Sequence, residues 1–272
     1  MNGGCVPTRA IDGYYLAILA HYRRIHPTAY NYEARAELAR ITGVVFSIHA
    51  IKSAQTDDMN LSYTRNSTAA SQAFTPANQH RLHCFQTMPP PLGVVGVPTA
   101  HLWDIDEIGR NLSHFNRAYG HSIVGGRTVE KGNYTRSSST TVMLAVRGDG
   151  EKFVMLFEGG VGYEECERFF EQLVTQLAAI PNLPPQVFMM DNLHAHHSPM
   201  IYNTVHNAGH TLVFRPPYMP WLAPIEYVFS QVTQLVAKQS FSVSSSQDVN
   251  GALRKAVREV SGIPATFVKL GY

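Results

Sequence analysis

The chain has 272 residues, of which 44% are hydrophobic and 15% are charged. Soluble domains usually carry about 25% charged residues, so the composition excludes a disordered chain kept extended by its own charge. The formal net charge is only +2, so any nucleic-acid surface must come from local clustering of basic residues.

The sequence offers no support for membrane insertion or export. No apolar run approaches the ~20 residues that span a bilayer, and residues 14–20 lack the flanking features of a signal peptide. The three cysteines are widely spaced, which fits neither a disulfide framework nor a zinc finger. We therefore expect a protein that is not secreted and has no membrane partner.

Residues 1–74 are predicted to form a small helical region. The stretch 31–41 is rich in helix formers, Gly43 supplies a turn, and Ser47 can cap a further helix that carries Lys52. Two helices joined by a short glycine turn form the helix-turn-helix layout, whose second helix can enter the major groove of DNA. An ordinary helical hairpin has the same pattern, so both interpretations stay open.

Residues 75–100 are predicted to be a linker. Three consecutive prolines, Pro89 to Pro91, cannot continue a helix and favour an extended segment, and Pro98 follows shortly afterwards. The prediction therefore places a boundary between the helical region and a second domain over residues 101–272.

This second domain has the alternating pattern of an α/β fold. Its predicted elements are strands at 101–108, 140–146 and 152–157, a helix at 163–180, a strand at 187–190, a helix at 199–208, a strand at 211–214 and a helix opened by Pro224. The Gly-Asp-Gly turn at 148–150 indicates an antiparallel hairpin, and the later strands require parallel crossovers. We therefore expect a mixed five-stranded sheet.

Three acidic residues stand at the ends of these elements. Asp106 lies in the first strand, Asp191 follows the strand at 187–190, and Glu226 lies in the first turn of the helix after Pro224. Carboxylates suit hard cations such as Mg²⁺ or Mn²⁺. If the sheet forms, these side chains converge, and they can hold two ions about 3.5–4 Å apart for attack on a phosphodiester. A cap or a solvated turn residue is the alternative for each acid alone.

The sequence blocks around these acids resemble the DDE transposases of the mariner-like superfamily, which are related to bacterial insertion-sequence transposases. The resembling blocks are 106–109, 117–122, 191–198 and 216–226. Thirty-four residues separate Asp191 from Glu226, a spacing typical of one branch of the superfamily. The N-terminal part resembles only the second of the family's two helix-turn-helix units, so we expect an N-terminally truncated member.

The resemblance implies a fold, a reaction and a set of site residues. It implies an RNase H-like domain of the retroviral-integrase type, preceded by the small helix-turn-helix-like region. The implied activity is metal-dependent cleavage and strand transfer of double-stranded DNA, with Asp106, Asp191 and Glu226 holding two Mg²⁺ or Mn²⁺ ions. Asn192 and His196 match supporting positions. A homodimer is expected, working in the nucleus of a eukaryote or otherwise in the cytoplasm.

Basic side chains near these blocks are candidates for DNA contact, with solvated surface charge as the alternative for each. The main candidates are Lys52, Arg117, Arg127 and Arg215, and weaker ones are Arg110, Lys131 and Arg136.

Several features depart from the family pattern or allow another interpretation. Asp104 shares a strand face with Asp106 and competes with it as the first metal ligand, although Asp106 is the preferred candidate. Trp221 is expected to cover the core, with base stacking as the alternative. A decayed transposase that only binds DNA is a rival function. A zinc hydrolase built on His194, His196 and neighbouring residues is another.

Overall fold

The computed structural model describes residues 11–64, 68–111, 121–127, 129, 139–239 and 246–272. The chain divides into two compact units, Met1–Thr68 and Ala69–Tyr272. In the part of the chain that is described, no helix is long and apolar enough to cross a membrane.

The first unit is helical. Its elements are α1 (Gly13–Ile25), α2 (Asn31–Thr42), α3 (Ile48–Ser53) and a π-helical turn, Ala54–Asp58. Buried Leu19, Leu38 and Ile51, one from each helix, pack together in its core. Gly43 ends α2 with a φ of 73°, a left-handed conformation that glycine adopts without a steric penalty. Ser47 caps α3 by accepting a 3.0 Å hydrogen bond from the Ala50 amide. The predicted helix, turn and cap are therefore confirmed.

The second unit is built on a five-stranded sheet. The strands are β1 (Leu102–Arg110), β2 (Thr140–Arg147), β3 (Lys152–Glu158), β4 (Val187–Met190) and β5 (Thr211–Phe214). Their order is β3-β2-β1-β4-β5. Strand β2 runs antiparallel to β1 and β3, whereas β4 runs parallel to β1 and β5. This arrangement confirms the predicted mixed sheet.

Helices cover both faces of the sheet. They are α4 (Pro76–Thr87), α5 (Tyr163–Ala178), α6 (Pro199–Asn207), α7 (Pro224–Lys238), α8 (Ser246–Glu259) and α9 (Ile263–Lys269). Phe169 of α5 and Ile201 of α6 belong to the core on one face. Val228 of α7, Leu253 of α8 and Phe267 of α9 belong to the core on the other. Helices α4, α8 and α9 extend the fold beyond the elements predicted from the sequence.

The segment expected to be a linker is part of the second unit. Residues 76–87 form α4, and its Phe85 is 2% exposed in the same core as β2. Thr75 caps this helix, and Pro76 occupies its first turn, where a missing amide hydrogen costs nothing. The prolines that suggested a linker lie after the helix. The division between units therefore falls at Thr68 and Ala69, not at residue 74.

Candidate active site

Strand β1 carries acidic side chains toward both faces of the sheet. Asp104 and Asp106 share the face with Leu102, which packs in the core beneath α7, because side chains alternate along a strand. Glu107 therefore lies on the opposite face, and its carboxylate is 3.4 Å from the His196 ring. Consecutive residues of β1 thus present carboxylates to two different groups of helices.

Both carboxylate oxygens of Asp104 accept hydrogen bonds inside the protein. Its residue exposure is 0%, and its carboxylate accepts hydrogen bonds from the Arg215 guanidinium and, at 2.9 Å, from the Ile225 amide. Asp106 differs, since its side chain is 17% exposed. Its Oδ1 accepts the Glu107 amide at 2.8 Å and its Oδ2 lies 3.2 Å from Arg215 Nη2. The geometry favours Asp106 over Asp104 as the acid available to a ligand.

Asp191 directly follows β4, and its side chain is 47% exposed. Its Oδ1 accepts the Leu193 amide at 3.0 Å and lies 2.7 Å from His196 Nδ1. Burial opposes ionisation of this carboxyl, but the hydrogen bonds from His196 and Leu193 outweigh burial and lower its pKa. Asp191 is therefore held as a carboxylate.

His196 is a buried link between two acids. Burial disfavours its charged form, but the 2.7 Å contact with Asp191, the Cys166 thiol and the negative charge of Glu107 raise its pKa to about 12. The imidazolium therefore carries positive charge between Asp191 and Glu107, and it fixes the orientation of the Asp191 carboxylate.

Glu226 lies in the first turn of α7 and is exposed. Its negative charge contributes to the raised pKa of Asp106. Burial is the largest cause that raises the pKa of Asp106 to about 7, and the charges of Asp191, Glu107 and Glu226 raise it further against a hydrogen bond from the Glu107 amide. The candidate acids thus act on one another electrostatically.

The ligand chemistry of these acids fits a hard divalent cation. Carboxylate oxygens are the donors that Mg²⁺ and Mn²⁺ prefer, and a cation relieves the mutual repulsion that raises the pKa of Asp106. Among the described residues, however, no three His, Cys, Asp or Glu side chains stand close enough together to hold a metal ion. Mg²⁺ is usually held by one or two carboxylates and completes its coordination with water and substrate oxygens, so the acids present still fit such an ion.

The structure corrects the expectation that Arg215 contacts DNA. Its side chain is only 4% exposed, and its guanidinium faces Asp104 and Asp106. Burial lowers its pKa to about 10, so the guanidinium stays charged at neutral pH. Asn192 donates its side-chain amide to the Arg215 carbonyl, which ties the loop after β4 to the loop after β5.

The other basic candidates have different surroundings. Lys52 and Arg127 are exposed. Arg110 donates to the Thr233 hydroxyl of α7. Arg117, Lys131 and Arg136 lie outside the described residues.

Trp221 is 41% exposed, so most of its surface is covered by the protein and the remainder faces solvent.

The zinc alternative from the sequence gains no support. His197 stacks on Phe214 with ring centroids 4.2 Å apart, whereas His196 faces Asp191 and Glu107. The two imidazoles therefore do not converge as zinc ligands would, and the His194 side chain lies outside the described residues.

Sequence reasoning missed three contributors to this site. It did not assign Glu107 and Cys166 as partners of His196, and it did not pair Asp104 with Arg215. Strand alternation did predict that Asp104 shares a face of β1 with Asp106. A buried carboxylate needs a partner of opposite charge, but its identity depends on how β1 and the loop after β5 meet.

Comparison with known proteins identifies the family. Residues 101–247, more than half of the chain, match the family model described as "DDE superfamily endonuclease". No curated protein sequence shows a significant match.

Solved structures share the fold. The chain is similar to the Mos1 transposase paired-end complex with left transposon end (15% identity, TM-score 0.64), covering 99% of this chain and 78% of that one. The Mos1 mariner paired end complex with Mn matches at 15% identity and a TM-score of 0.67, with the same coverages. The complex with Mg matches at 14% identity and a TM-score of 0.61, covering 98% and 79%. The sheet and its helices thus form the expected RNase H-like domain, and the chain belongs to the DDE superfamily endonucleases.

Proposed function

We propose that this chain is a DDE transposase that cleaves DNA phosphodiesters and transfers the cleaved strand. The observation that carries the proposal is the family match over residues 101–247, which includes Asp106 on β1, Asp191 directly after β4 and Glu226 in the first turn of α7. The similar Mos1 structures are complexes with a transposon end, with Mn and with Mg, which supports DNA as the substrate class and divalent cations as cofactors.

In this proposal Asp106, Asp191 and Glu226 hold two Mg²⁺ or Mn²⁺ ions. Bound at these carboxylates, two ions would supply activation of a water or hydroxyl and charge stabilisation of the leaving oxygen. His196 keeps Asp191 ionised and oriented through the 2.7 Å contact. Asn192 supports the same edge of the sheet by its hydrogen bond to the Arg215 carbonyl.

DNA contacts in this proposal come from exposed basic side chains. Lys52 on α3 and Arg127 satisfy that requirement, and Arg117 remains a candidate from the sequence.

We propose that the chain forms a homodimer, because joining two DNA ends requires two active sites. We also propose that it works in the nucleus of a eukaryotic host or otherwise in the cytoplasm. Light scattering of the chain with and without duplex DNA tests the dimer.

Nicking of supercoiled plasmid in Mg²⁺ or Mn²⁺ tests the activity, with Asp191→Asn as the disabled variant. Asparagine keeps an oxygen for the Leu193 amide and removes the charge, so the loop is retained while cation binding is lost. Asp149→Asn, at a turn between β2 and β3, is the matched control. We expect metal-dependent nicking by the wild type and the control, and none by Asp191→Asn. Equal nicking by all three proteins would contradict the proposal.

The rival function, DNA binding without cleavage, gives a different result in the same assay. A binding-only protein would bind duplex DNA but would not nick it in either metal.

Lys52→Ala should weaken duplex binding and reduce the slope of log affinity against log salt by about 1, because one phosphate contact is lost.

A further inference from the structure

Arg215 contacts Asp106 and the residues on either side of Asp191, and it is connected to the helix of Glu226 through Asp104. Its guanidinium pairs with Asp104 and reaches Asp106 Oδ2 at 3.2 Å. Its backbone amide donates to the Met190 carbonyl at 2.7 Å, directly before Asp191, and its carbonyl accepts the Asn192 amide. One buried residue thus connects β1 with both sides of Asp191.

Asp104 extends this connection to α7. One oxygen of its carboxylate accepts the Arg215 guanidinium, and the other accepts the Ile225 amide at 2.9 Å. Ile225 directly precedes Glu226, and both lie in the first turn of the helix. A charge-assisted hydrogen bond to this amide fixes where α7 begins and, therefore, where Glu226 is placed.

We propose that Arg215 and Asp104 are positioning residues that set the relative placement of Asp106, Asp191 and Glu226 for cation binding. The inference rests on the proposed function, since it assigns these two residues a role in preparing the same site. A guanidinium suits this role because its planar fork directs two nitrogens toward two different carboxylates, which a lysine ammonium does not reproduce.

The alternative hypothesis, in which the Arg215–Asp104 ion pair only stabilises the fold, predicts a different result. Neutral replacement of a buried ion pair often preserves stability. If the pair only fills the core, a neutral double variant that folds should bind cations as the wild type does. If the pair positions the acids, the variant should fold and bind cations more weakly.

The double variant Asp104→Asn with Arg215→Met separates these roles. The introduced asparagine is uncharged and still offers an oxygen to the Ile225 amide, and the introduced methionine fills the space of the arginine stem without reaching Asp106. Mn²⁺ binding to the full chain without DNA is measured by titration calorimetry, and folding is measured by thermal unfolding. We expect a cooperative unfolding transition and a Mn²⁺ dissociation constant raised on the order of tenfold, as for the loss of residues that orient metal ligands.

Lys152→Met controls for a general loss of stability, because Lys152 donates its hydrogen bonds to the end of α8. It should leave Mn²⁺ affinity unchanged. Wild-type Mn²⁺ affinity in a folded double variant would overturn the inference while leaving the proposed function intact. If that variant does not fold, Arg215→Lys replaces it: a raised dissociation constant supports the inference and an unchanged one overturns it. Absence of Mn²⁺ binding by the wild type would overturn the proposed metal site and this inference together.

Discussion

Asp106 is the candidate acid whose pKa is raised in the folded protein. Burial and three neighbouring carboxylates favour its protonated form, while Arg215 lies 3.2 Å from its Oδ2. The neighbouring Asp104 has the same side chain and a different role, because it is fully buried and both of its oxygens are engaged. Burial and hydrogen-bond partners, not residue type, distinguish the two aspartates.

The raised pKa of Asp106 predicts how the stability of the metal-free protein depends on pH. Its ordinary value is 3.8 and its value in the folded protein is about 7. The folded state therefore binds this proton more tightly, which contributes stability below pH 3.8 that is lost as pH rises through 7. Asp106→Asn has no such proton. In chelator, the variant should gain stability relative to the wild type between about pH 4 and pH 8, as measured by urea unfolding.

A constant stability difference across that pH range would contradict the assignment. Asp149→Asn is the comparison, because the Asp149 carboxyl lies beside Arg147 at an exposed turn and its pKa is lowered. The stabilising contribution of Asp149 is lost only as pH falls below 3.8, so the stability difference between Asp149→Asn and the wild type should stay nearly constant between about pH 4 and pH 8.

The two tryptophans differ in what surrounds them. Trp103 is 1% exposed and donates its indole hydrogen to Gln186 at 2.9 Å, whereas Trp221 is 41% exposed. We expect Trp103→Ala to cost about 3–5 kcal/mol in free energy of unfolding, through a cavity and an unpaired buried amide oxygen. Trp221→Ala should cost about 1 kcal/mol or less. Equal losses in urea unfolding would indicate that Trp221 does pack in the core.

At the scale of elements, the helix termini are fixed by specific side chains. The start of α7 is held by Asp104 through the Ile225 amide. The end of α8 is hydrogen-bonded to the sheet. Lys152 of β3 donates to the carbonyls of Val257, Arg258 and Val260 at 3.0–3.1 Å. Both of these helices are therefore joined to a strand by a charged side chain.

Lys152→Met should loosen the end of α8. The carbonyls at a helix C-terminus carry partial negative charge, and removal of the ammonium leaves them without this donor. We expect a loss of about 1–2 kcal/mol in free energy of unfolding and faster amide exchange in α8. Lys255→Met, which removes an exposed 4.0 Å contact with Glu259, is the matched control and should change stability by less than about 0.5 kcal/mol. An equal effect from both changes would contradict this role of Lys152.

At the scale of the whole molecule, each unit has its own hydrophobic core. The core of the first unit includes Leu19 and Ile51, and the cores of the second lie on the two faces of its sheet. The boundary at Thr68 and Ala69 assigns α4 to the second unit. The helix contributes Phe85 to the core beneath α7.

The fragment 69–272 should fold on its own and bind Mn²⁺, whereas the fragment 101–272 should be much less stable. The shorter fragment lacks Ala73 and Phe85, both buried, and loss of a core phenylalanine alone costs about 3–5 kcal/mol. Circular dichroism and urea unfolding of the two fragments test this expectation. Equal stability would show that the segment before β1 is dispensable, as a linker would be.

All five strands, most of the helices and the candidate acids could be predicted from the sequence, whereas α4, α8 and α9 could not. Short β-rich runs bounded by glycine and proline turns indicated the strands, and the order of residues along the chain placed Asp106, Asp191 and Glu226 in or next to these predicted elements. These features depend on nearest neighbours along the chain. The same local reasoning failed at α4, where the prolines after residue 87 outweighed the helix signals at Thr75 and Pro76.

The tertiary structure decided which charged groups meet. Arg215 was a candidate DNA contact in the sequence and is a buried partner of Asp104 in the fold. Residues 104 and 215 are far apart in the chain, and their pairing depends on β4 lying between β1 and β5 in the sheet. Burial then decides the outcome, because a guanidinium withdrawn from water must find carboxylates, and those nearby belong to the candidate site.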